Sequence, residues 1–328
     1  MRVVAGDIGG TSTRLAWLDG DGSTFTVGAE ARFASRDFGS LTEIVGRFAG
    51  GQGMTVDRAC FGIAGPVRQG RVSTPNLPWT IEGADLARTL GLPSVTLIND
   101  LESNAYGIPL LGDGDLYVLN PGRSDSAGNI AVISAGTGLG EALAFREGDG
   151  YHPIACEAGH ADFAPRNELE TELLLYLRAE HGRVSYERIV SGPGLRNIYR
   201  FLRDVRRVPE SPAVAEEMRL VDPSAVISQA AQARTCSLCR QALDIFVSLY
   251  GAEAGNAALR YLATGGVYIG GGIAPKIIEA LKGPAFMMAF TAKGRLSPLL
   301  EAIPVKVILN DRTALLGAGR CAFLRGAS

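Results

Sequence analysis

Val3-Val4-Ala5-Gly6-Asp7-Ile8-Gly9-Gly10-Thr11 opens the chain, and Ala131-Val132-Ile133-Ser134-Ala135-Gly136-Thr137-Gly138 echoes it further on. Each is an apolar strand, a small turn with Gly and Thr, then a second apolar strand, at Leu15–Leu18 or Leu139–Phe145. Two such hairpins, one opening each half, predict two related α/β lobes. A Gly/Thr turn after a buried strand exposes several backbone N–H groups in a tight arc that can cradle phosphate oxygens. One hairpin alone reads equally well as a plain structural turn; the pair favours a nucleotide clamped between two arcs.

The rest of the composition agrees with a globular α/β protein. The 328 residues are 46% hydrophobic and 20% charged, enough for a core and too little charge for disorder. With 32 basic and 34 acidic side chains the net charge is −2, which argues against a nucleic-acid or anionic-membrane surface. Met1-Arg2 leads straight into a strand with no signal-peptide pattern. The longest charge-free stretch, Tyr261–Pro275, is broken by five glycines, so a cytoplasmic protein without a membrane span is expected. Five cysteines, an odd number, do not make a disulfide framework. Cys236 and Cys239 are spaced CxxC on an apparent helix with no second pair, which reads as ordinary half-buried thiols rather than zinc or redox chemistry.

Strand and helix signals alternate, as in an α/β class. Short β-type runs lie at Val3–Ala5, Thr13–Leu18, Arg58–Ile63, Val95–Ile98, Leu116–Leu119, Ile130–Ile133, Ala142–Phe145, Gly266–Ile269 and Val305–Ile308. Helices are expected at Leu41–Ala49, Gly83–Leu90, Glu168–Glu180, Gln241–Tyr261 and Pro275–Leu281. The third has Asn167 at its N-cap, Glu170 at N3 and Gly182 after its end. Residues 203–241 read as a helical excursion on a larger domain.

Several nucleotide motifs fail. Gly65 to Gly70 has P-loop spacing but continues Arg71-Val72. Gly317-Ala318-Gly319-Arg320-Cys321-Ala322 fits G-x-G-x-x-A by letter, yet lies too near the C-terminus for the rest of a dinucleotide unit. Gly270-Gly271-Gly272, after a strand and before a helix, would let a flat group such as adenosine lie on bare backbone.

Asp7-Ile8-Gly9-Gly10-Thr11-Ser12-Thr13-Arg14 resembles the first phosphate loop of the actin, heat-shock-70 and hexokinase superfamily, and Ser134-Ala135-Gly136-Thr137-Gly138-Leu139-Gly140 its second. Leu97-Ile98-Asn99-Asp100, Glu157-Ala158-Gly159-His160, Glu187-Arg188-Ile189-Val190-Ser191-Gly192-Pro193-Gly194 and Asn310-Asp311-Arg312-Thr313-Ala314-Leu315-Leu316-Gly317 look more specifically like the bacterial glucokinase family. The resemblance runs in order from residue 3 to about 320. Ser12 and Ala158 stand where the family commonly has Asn and Gly, and neither removes a reacting group. Repressor/open-reading-frame/kinase sugar kinases typically carry a cysteine-rich zinc motif after the E-x-G-H histidine; Ala161–Glu172 has no cysteine.

The resemblance implies a two-lobed, ribonuclease-H-like fold of actin/hexokinase type with the active site in the interlobe cleft. The lobes expected are 1–110 plus 303–328, and 111–302 with a helical insertion around 203–262. It implies ATP and Mg²⁺ as cofactors, glucose as substrate, a homodimer, and no nucleic acid or membrane partner. Asp100, at the end of a strand, is the candidate base, where the competing reading is a helix-capping Asp. Asn99 would bind sugar hydroxyls, as would Glu157 and His160, whose i, i+3 spacing also suits half a metal site. Glu187 joins them, against a bland reading as a first-turn helix carboxylate. Asp7 is expected to work through Mg²⁺. Gly9, Gly10 and Thr11 with Gly136, Thr137 and Gly138 hold phosphates, and Gly271 and Gly272 the adenosine side. Arg14 reads as a phosphate contact or, more simply, a salt bridge, and Trp79 as packing. The competing classes are a non-kinase ATPase of the superfamily and a sugar-responsive regulator, the latter needing a helix-turn-helix that six residues before Asp7 cannot hold.

Overall fold

The computed structural model describes every residue except 22–23, 51–54, 75–76, 124, 126, 149 and 326–328. The last three belong to the expected 303–328 segment and lie outside the described residues. The chain divides into two compact units: Met1–Asp115, Ala142–Ala155 and Asn310–Ser328 form one, Leu116–Glu141 and Cys156–Leu309 the other.

In the first unit, β1 (Arg2–Ile8), β2 (Ser12–Gly20) and β3 (Phe25–Ala34) pair antiparallel in sequence. Helix α1 (Leu41–Gly50) leads to β4 (Arg58–Ile63), a separate hairpin of β5 (Arg71–Ser73) and β6 (Thr80–Glu82), then α2 (Gly83–Leu90), β7 (Thr96–Asn99) and α3 (Asp100–Gly107). The sheet order is β3-β2-β1-β4-β7, with β4 parallel to β1 and β7 parallel to β4. Period-two alternation sends Val4 and Ile8 to one face, packed with Leu41, Ile44 and Leu86. Val3 and Ala5 go to the other, packed with Leu315, Ala318 and Cys321 of the last helix. Trp79 is buried in the first of these cores, its indole N–H on the Phe38 carbonyl at 3.2 Å.

The second unit opens with β8 (Leu116–Asn120) and β9 (Ile130–Ala135), and the chain continues through β10 (Leu139–Glu147) and β11 (Gly150–Cys156). Five helices follow: α4 (Glu168–His181), α5 (Gly192–Asp204), α6 (Pro212–Leu220), α7 (Pro223–Gln232) and α8 (Ser237–Tyr261). Then come β12 (Gly266–Gly270), α9 (Ile278–Leu281), α10 (Pro284–Thr291), α11 (Ser297–Ala302) and β13 (Val305–Ile308), before α12 (Thr313–Leu324) rejoins the first unit. The sheet order is β11-β10-β9-β12-β13-β8. The internal repeat is visible here: β9, like β1, has the next strand of its hairpin on one side and a parallel strand on the other.

The boundaries differ from the sequence reading in three places. Residues 303–309, expected with the first lobe, lie in the second unit because β13 is hydrogen-bonded between β12 and β8. Residues 111–115 and 142–155 group with the first unit. Strands β3, β5, β6 and β11 add to those expected. The prolines of the excursion start helices: Pro212 and Pro223 sit in the first turns of α6 and α7. Asn167 Oδ1 caps α4 by accepting from the Glu170 N–H at 2.9 Å, and Gly182 ends it at φ 71°. Helix α8 begins four residues early because the Cys236 sulfur accepts from the Cys239 N–H at 3.3 Å. Among the described residues, no helix is long and apolar enough to cross a membrane.

Candidate active site

In the first unit the register aligns Ile8 with Ile63 and Ile63 with Asn99, so β1, β4 and β7 end level with one another. Ligands in open α/β sheets gather at such carboxyl ends. Asp7, the loop Gly9–Thr11, Asn99 and Asp100 all lie along this edge. The loop is pinned from behind: the Ser35 hydroxyl donates to the Gly9 carbonyl at 2.9 Å, and the Ser35 N–H donates to that of Thr11 at 3.1 Å. In a trans peptide the N–H points opposite to the C=O. The amides of Gly10 and Ser12 therefore face away from Ser35, and Thr11 is exposed beside them.

Burial pushes the Asp7 carboxyl up from 3.8 to about 6, Asp311 adding to the rise while Arg14 and Arg32 oppose it. Arg14 spends its charge elsewhere, donating to the Asp311 carboxylate at 2.8 Å and lying 3.7 Å from Glu30. The salt-bridge reading of Arg14 holds. A desolvated carboxylate short of positive charge suits a cation. Among the described residues no three His, Cys, Asp or Glu side chains converge on a metal position. A metal at Asp7 would take its other ligands from nucleotide phosphates and water, the habit of Mg²⁺.

The helix cap weighed for Asp100 falls on Asn99 instead. Asn99 is 6% exposed; its Oδ1 accepts from the N–H groups of Leu101 at 2.9 Å and Glu102 at 3.4 Å, and its Nδ2 donates to the Gly65 carbonyl at 3.2 Å. Its carbonyl oxygen is thus fully used by the backbone, and one N–H is left for a ligand. Asp100 is half-buried at the first position of α3, its Oδ1 accepting from the Leu101 N–H at 3.0 Å.

In the second unit, Ser134 pairs with Gly270, so the second turn and the triple glycine end side by side. The turn is fixed by the Gly136 N–H on the Gly138 carbonyl and the Gly192 N–H on the Gly136 carbonyl, both at 2.8 Å. Gly271, at φ 83°, has no room for a side chain: a Cβ would lie 2.3 Å from the Ala135 carbonyl oxygen. Gly136 and Gly272 face open space, where a Cβ would meet nothing within 4 Å, and Thr137 is exposed. Bare backbone with open space above it is what a phosphate or a flat base needs.

Glu187 stands against this turn, its Oε2 accepting from the Leu139 N–H at 3.0 Å. It lies in the first turn of a 3₁₀ helix, Tyr186–Arg188, as the bland reading had it, but one turn of three residues sums too few peptide dipoles to account for a carboxylate there. Its Oε1 is 3.9 Å from His160 Nδ1, and His160 Nε2 is 4.0 Å from Glu157 Oε2. The three form a row, exposed at Glu157 and His160 and half-buried at Glu187. Gly159 is required there because a Cβ would fall 1.9 Å from the Leu139 carbonyl oxygen. The S-G-P-G run builds the start of α5: Ser191 Oγ accepts from the Gly194 N–H at 3.0 Å and donates to the Glu187 carbonyl at 2.7 Å.

A family model described as Glucokinase matches residues 4–324. The chain belongs to the glucokinase family. The glucokinase of Trichormus variabilis is 43% identical over 336 residues, covering 98% of both chains. Among solved structures, a glucokinase from an Antarctic psychrotroph superposes with a TM-score of 0.85 at 32% identity, covering 98% of each chain. The glucokinase of Balamuthia mandrillaris, solved in complex with glucose, shares the fold with a TM-score of 0.78 at 22% identity over 98% of this chain and 93% of that one. The chain is an enzyme of this glucokinase family, with an α/β fold of actin/hexokinase type. Ser35, behind the first loop, was not picked out by sequence reasoning, being distant in sequence from Gly9 and carrying no local motif; Asp311 stood in a quoted run, but its pairing with Arg14 spans most of the chain and was not legible there.

Proposed function

We propose that the chain transfers the γ-phosphoryl group of ATP to the 6-hydroxyl of glucose, with Asp100 as general base. The observation that carries this reading is the row Glu157–His160–Glu187 beside the second glycine turn. Two acceptors and a side chain that donates or accepts suit a polyol, and an ATPase that polymerises or chaperones has no use for them.

Asp100 takes the hydroxyl proton as the sugar oxygen bonds to the γ-phosphorus and the bond to the bridging oxygen of ADP breaks. Asn99 contributes its remaining N–H to the sugar. Glu157 and Glu187 accept from hydroxyls, and His160 donates or accepts. The arcs Gly9–Thr11 and Gly136–Gly138 hold phosphates, with Gly271 and Gly272 beneath the adenosine. Mg²⁺ arriving with the nucleotide would neutralise phosphate charge, and Asp7 would hold it.

Asn99 and Asp100 belong to one unit, and Glu157, His160 and Glu187 to the other. One sugar bonded to both sets would draw the units together, so closure on sugar binding is part of the proposal. The family resemblance further supports a cytoplasmic homodimer. A coupled assay of ADP release over a panel of hexoses and nucleotide donors tests the reading. ATP consumption should require a free hexose and be fastest with glucose and ATP. Equal hydrolysis with and without hexose would overturn it in favour of the ATPase.

A further inference from the structure

Helix α8 carries Glu253, Asn256 and Arg260 at i, i+3 and i+7, one helical face, with Tyr261 at its end. Asn256 Nδ2 donates to Glu253 Oε2 at 2.8 Å and to the Tyr186 hydroxyl at 3.1 Å, while Lys293 Nζ donates to Asn256 Oδ1 at 2.6 Å. Arg260 donates to Glu253 Oε1 at 2.7 Å and to Glu141 Oε2 at 3.4 Å. The Tyr261 hydroxyl and Cys156 Sγ are 3.1 Å apart, and Cys156 Sγ donates to the Glu141 carbonyl at 3.3 Å. Glu141 and Glu253 are wholly buried.

Two of the residues this face holds adjoin a member of the row described above, and a third is linked to one through Leu139. Tyr186 precedes Glu187, Cys156 precedes Glu157, and Glu141 lies two residues beyond Leu139, whose N–H binds Glu187. Burial and the neighbouring Glu253 push the Glu141 carboxyl up to about 8, so Glu141 keeps its proton at neutral pH. A buried ionic array of this size is poor value as a stabiliser, since apolar side chains of similar volume do as well. What it supplies is fixed geometry, and a site already held in its binding geometry loses less conformational freedom when ligand arrives.

We infer that the polar face of α8 positions the sugar-recognition row, with Glu253, Asn256, Arg260 and Tyr261 as positioning residues that act through Tyr186, Cys156 and Glu141. This rests on the reading of Glu157, His160 and Glu187 as sugar ligands. Loosening the face should weaken glucose binding and leave ATP binding and chemistry alone.

The test is a steady-state comparison of Tyr186→Phe, Tyr261→Phe and Asn256→Ala, with Glu157→Gln and Glu187→Gln run beside them. Each phenylalanine variant deletes one hydroxyl and keeps its ring, so folding is preserved even if Asn256→Ala is insoluble. Glucose KM should rise about two- to tenfold in each, the worth of one hydrogen bond, while kcat and the KM for ATP stay within about twofold. Glu141→Gln, which keeps shape and a donor toward Glu253, should retain the wild-type glucose KM where Glu141→Ala does not. Glucose KM unchanged in both phenylalanine variants, or rising together with that for ATP, would overturn the inference. If Glu157→Gln and Glu187→Gln also leave glucose KM unchanged, the sugar-ligand reading has failed; if they raise it while the α8-face variants do not, only the positioning role has failed.

Discussion

A Cβ built on Gly317 would fall 1.8 Å from the carbonyl oxygen of Ser103, so α12 and α3 meet backbone to backbone at this point. The same closeness recurs at Gly107, where a Cβ would lie 2.3 Å from the Thr313 carbonyl oxygen, and the Ser103 hydroxyl donates to the Ala314 carbonyl at 2.6 Å. The G-x-G-x-x-A letters at Gly317 therefore encode a helix crossing. Gly317→Ala forces the helices apart and should cost about 1–3 kcal/mol by overpacking. Calorimetry should show a Tm lower by several degrees. Because Asp100 opens α3, kcat should drop as well.

Asp100→Asn should lower kcat by about 10²–10⁴-fold with glucose affinity changed by about tenfold or less. Its melting temperature should stay close to wild type, because Asn99 rather than Asp100 caps α3. Asn99→Ala should do the reverse to stability, costing about 1 kcal/mol of cap. Near-normal kcat in Asp100→Asn, measured by stopped-flow or coupled assay, removes Asp100 from the chemistry.

Glu141 keeps its proton in the folded protein up to about pH 8 but loses it near 4.5 when unfolded. The folded state binds more protons across that window. Its contribution to stability is therefore complete below about pH 4.5 and is lost as pH climbs through 8. Burial pushes Lys293 the other way, from 10.5 to about 8, so the unfolded state binds more protons between those values and stability recovers as pH rises through them. Melting curves from pH 5 to 8 should fall less steeply for Glu141→Gln than for wild type. Parallel curves would contradict the raised carboxyl.

Chelation by EDTA should abolish turnover, and excess Mg²⁺ alone should restore it, since the proposed metal travels with the nucleotide. Asp7→Asn should raise the Mg²⁺ concentration needed for half-maximal rate. Stoichiometric zinc in the purified protein would contradict this account, given that Cys236 serves as a buried helix cap.

Features with purely local causes were legible in the sequence. Small Gly and Thr turns marked both loops proposed to hold phosphates, and Asn167, Glu170 and Gly182 announced the ends of α4 by capping chemistry alone. Features decided across the chain were not. β13 reads as an ordinary strand, and only its pairing with β12 and β8 assigns it to the second unit. β3 is a half-exposed edge strand whose register with β2 shifts between Ala16 and Leu18, which blurs the period-two signal. In the site, Asn99 and Asp100 were both visible as candidates, but which of them caps α3 depends on backbone geometry that neighbouring letters do not carry. The α8 face was hidden because Glu253, Asn256 and Arg260 look like a solvated surface until burial is known.

The return of α12 to the first sheet has a consequence for synthesis on the ribosome. Val3, Ala5, Ala16 and Leu18 face Leu315, Ala318, Cys321 and Phe323, the last helix of the chain. At about 5–20 residues per second, that side of the nascent sheet stays bare for roughly 10–40 s after β7 and α3 have emerged. The second unit, whose residues end at Leu309, is free to fold before the first is finished. The half made first is thus completed last: until α12 emerges, one face of the first sheet lacks the helix that covers it.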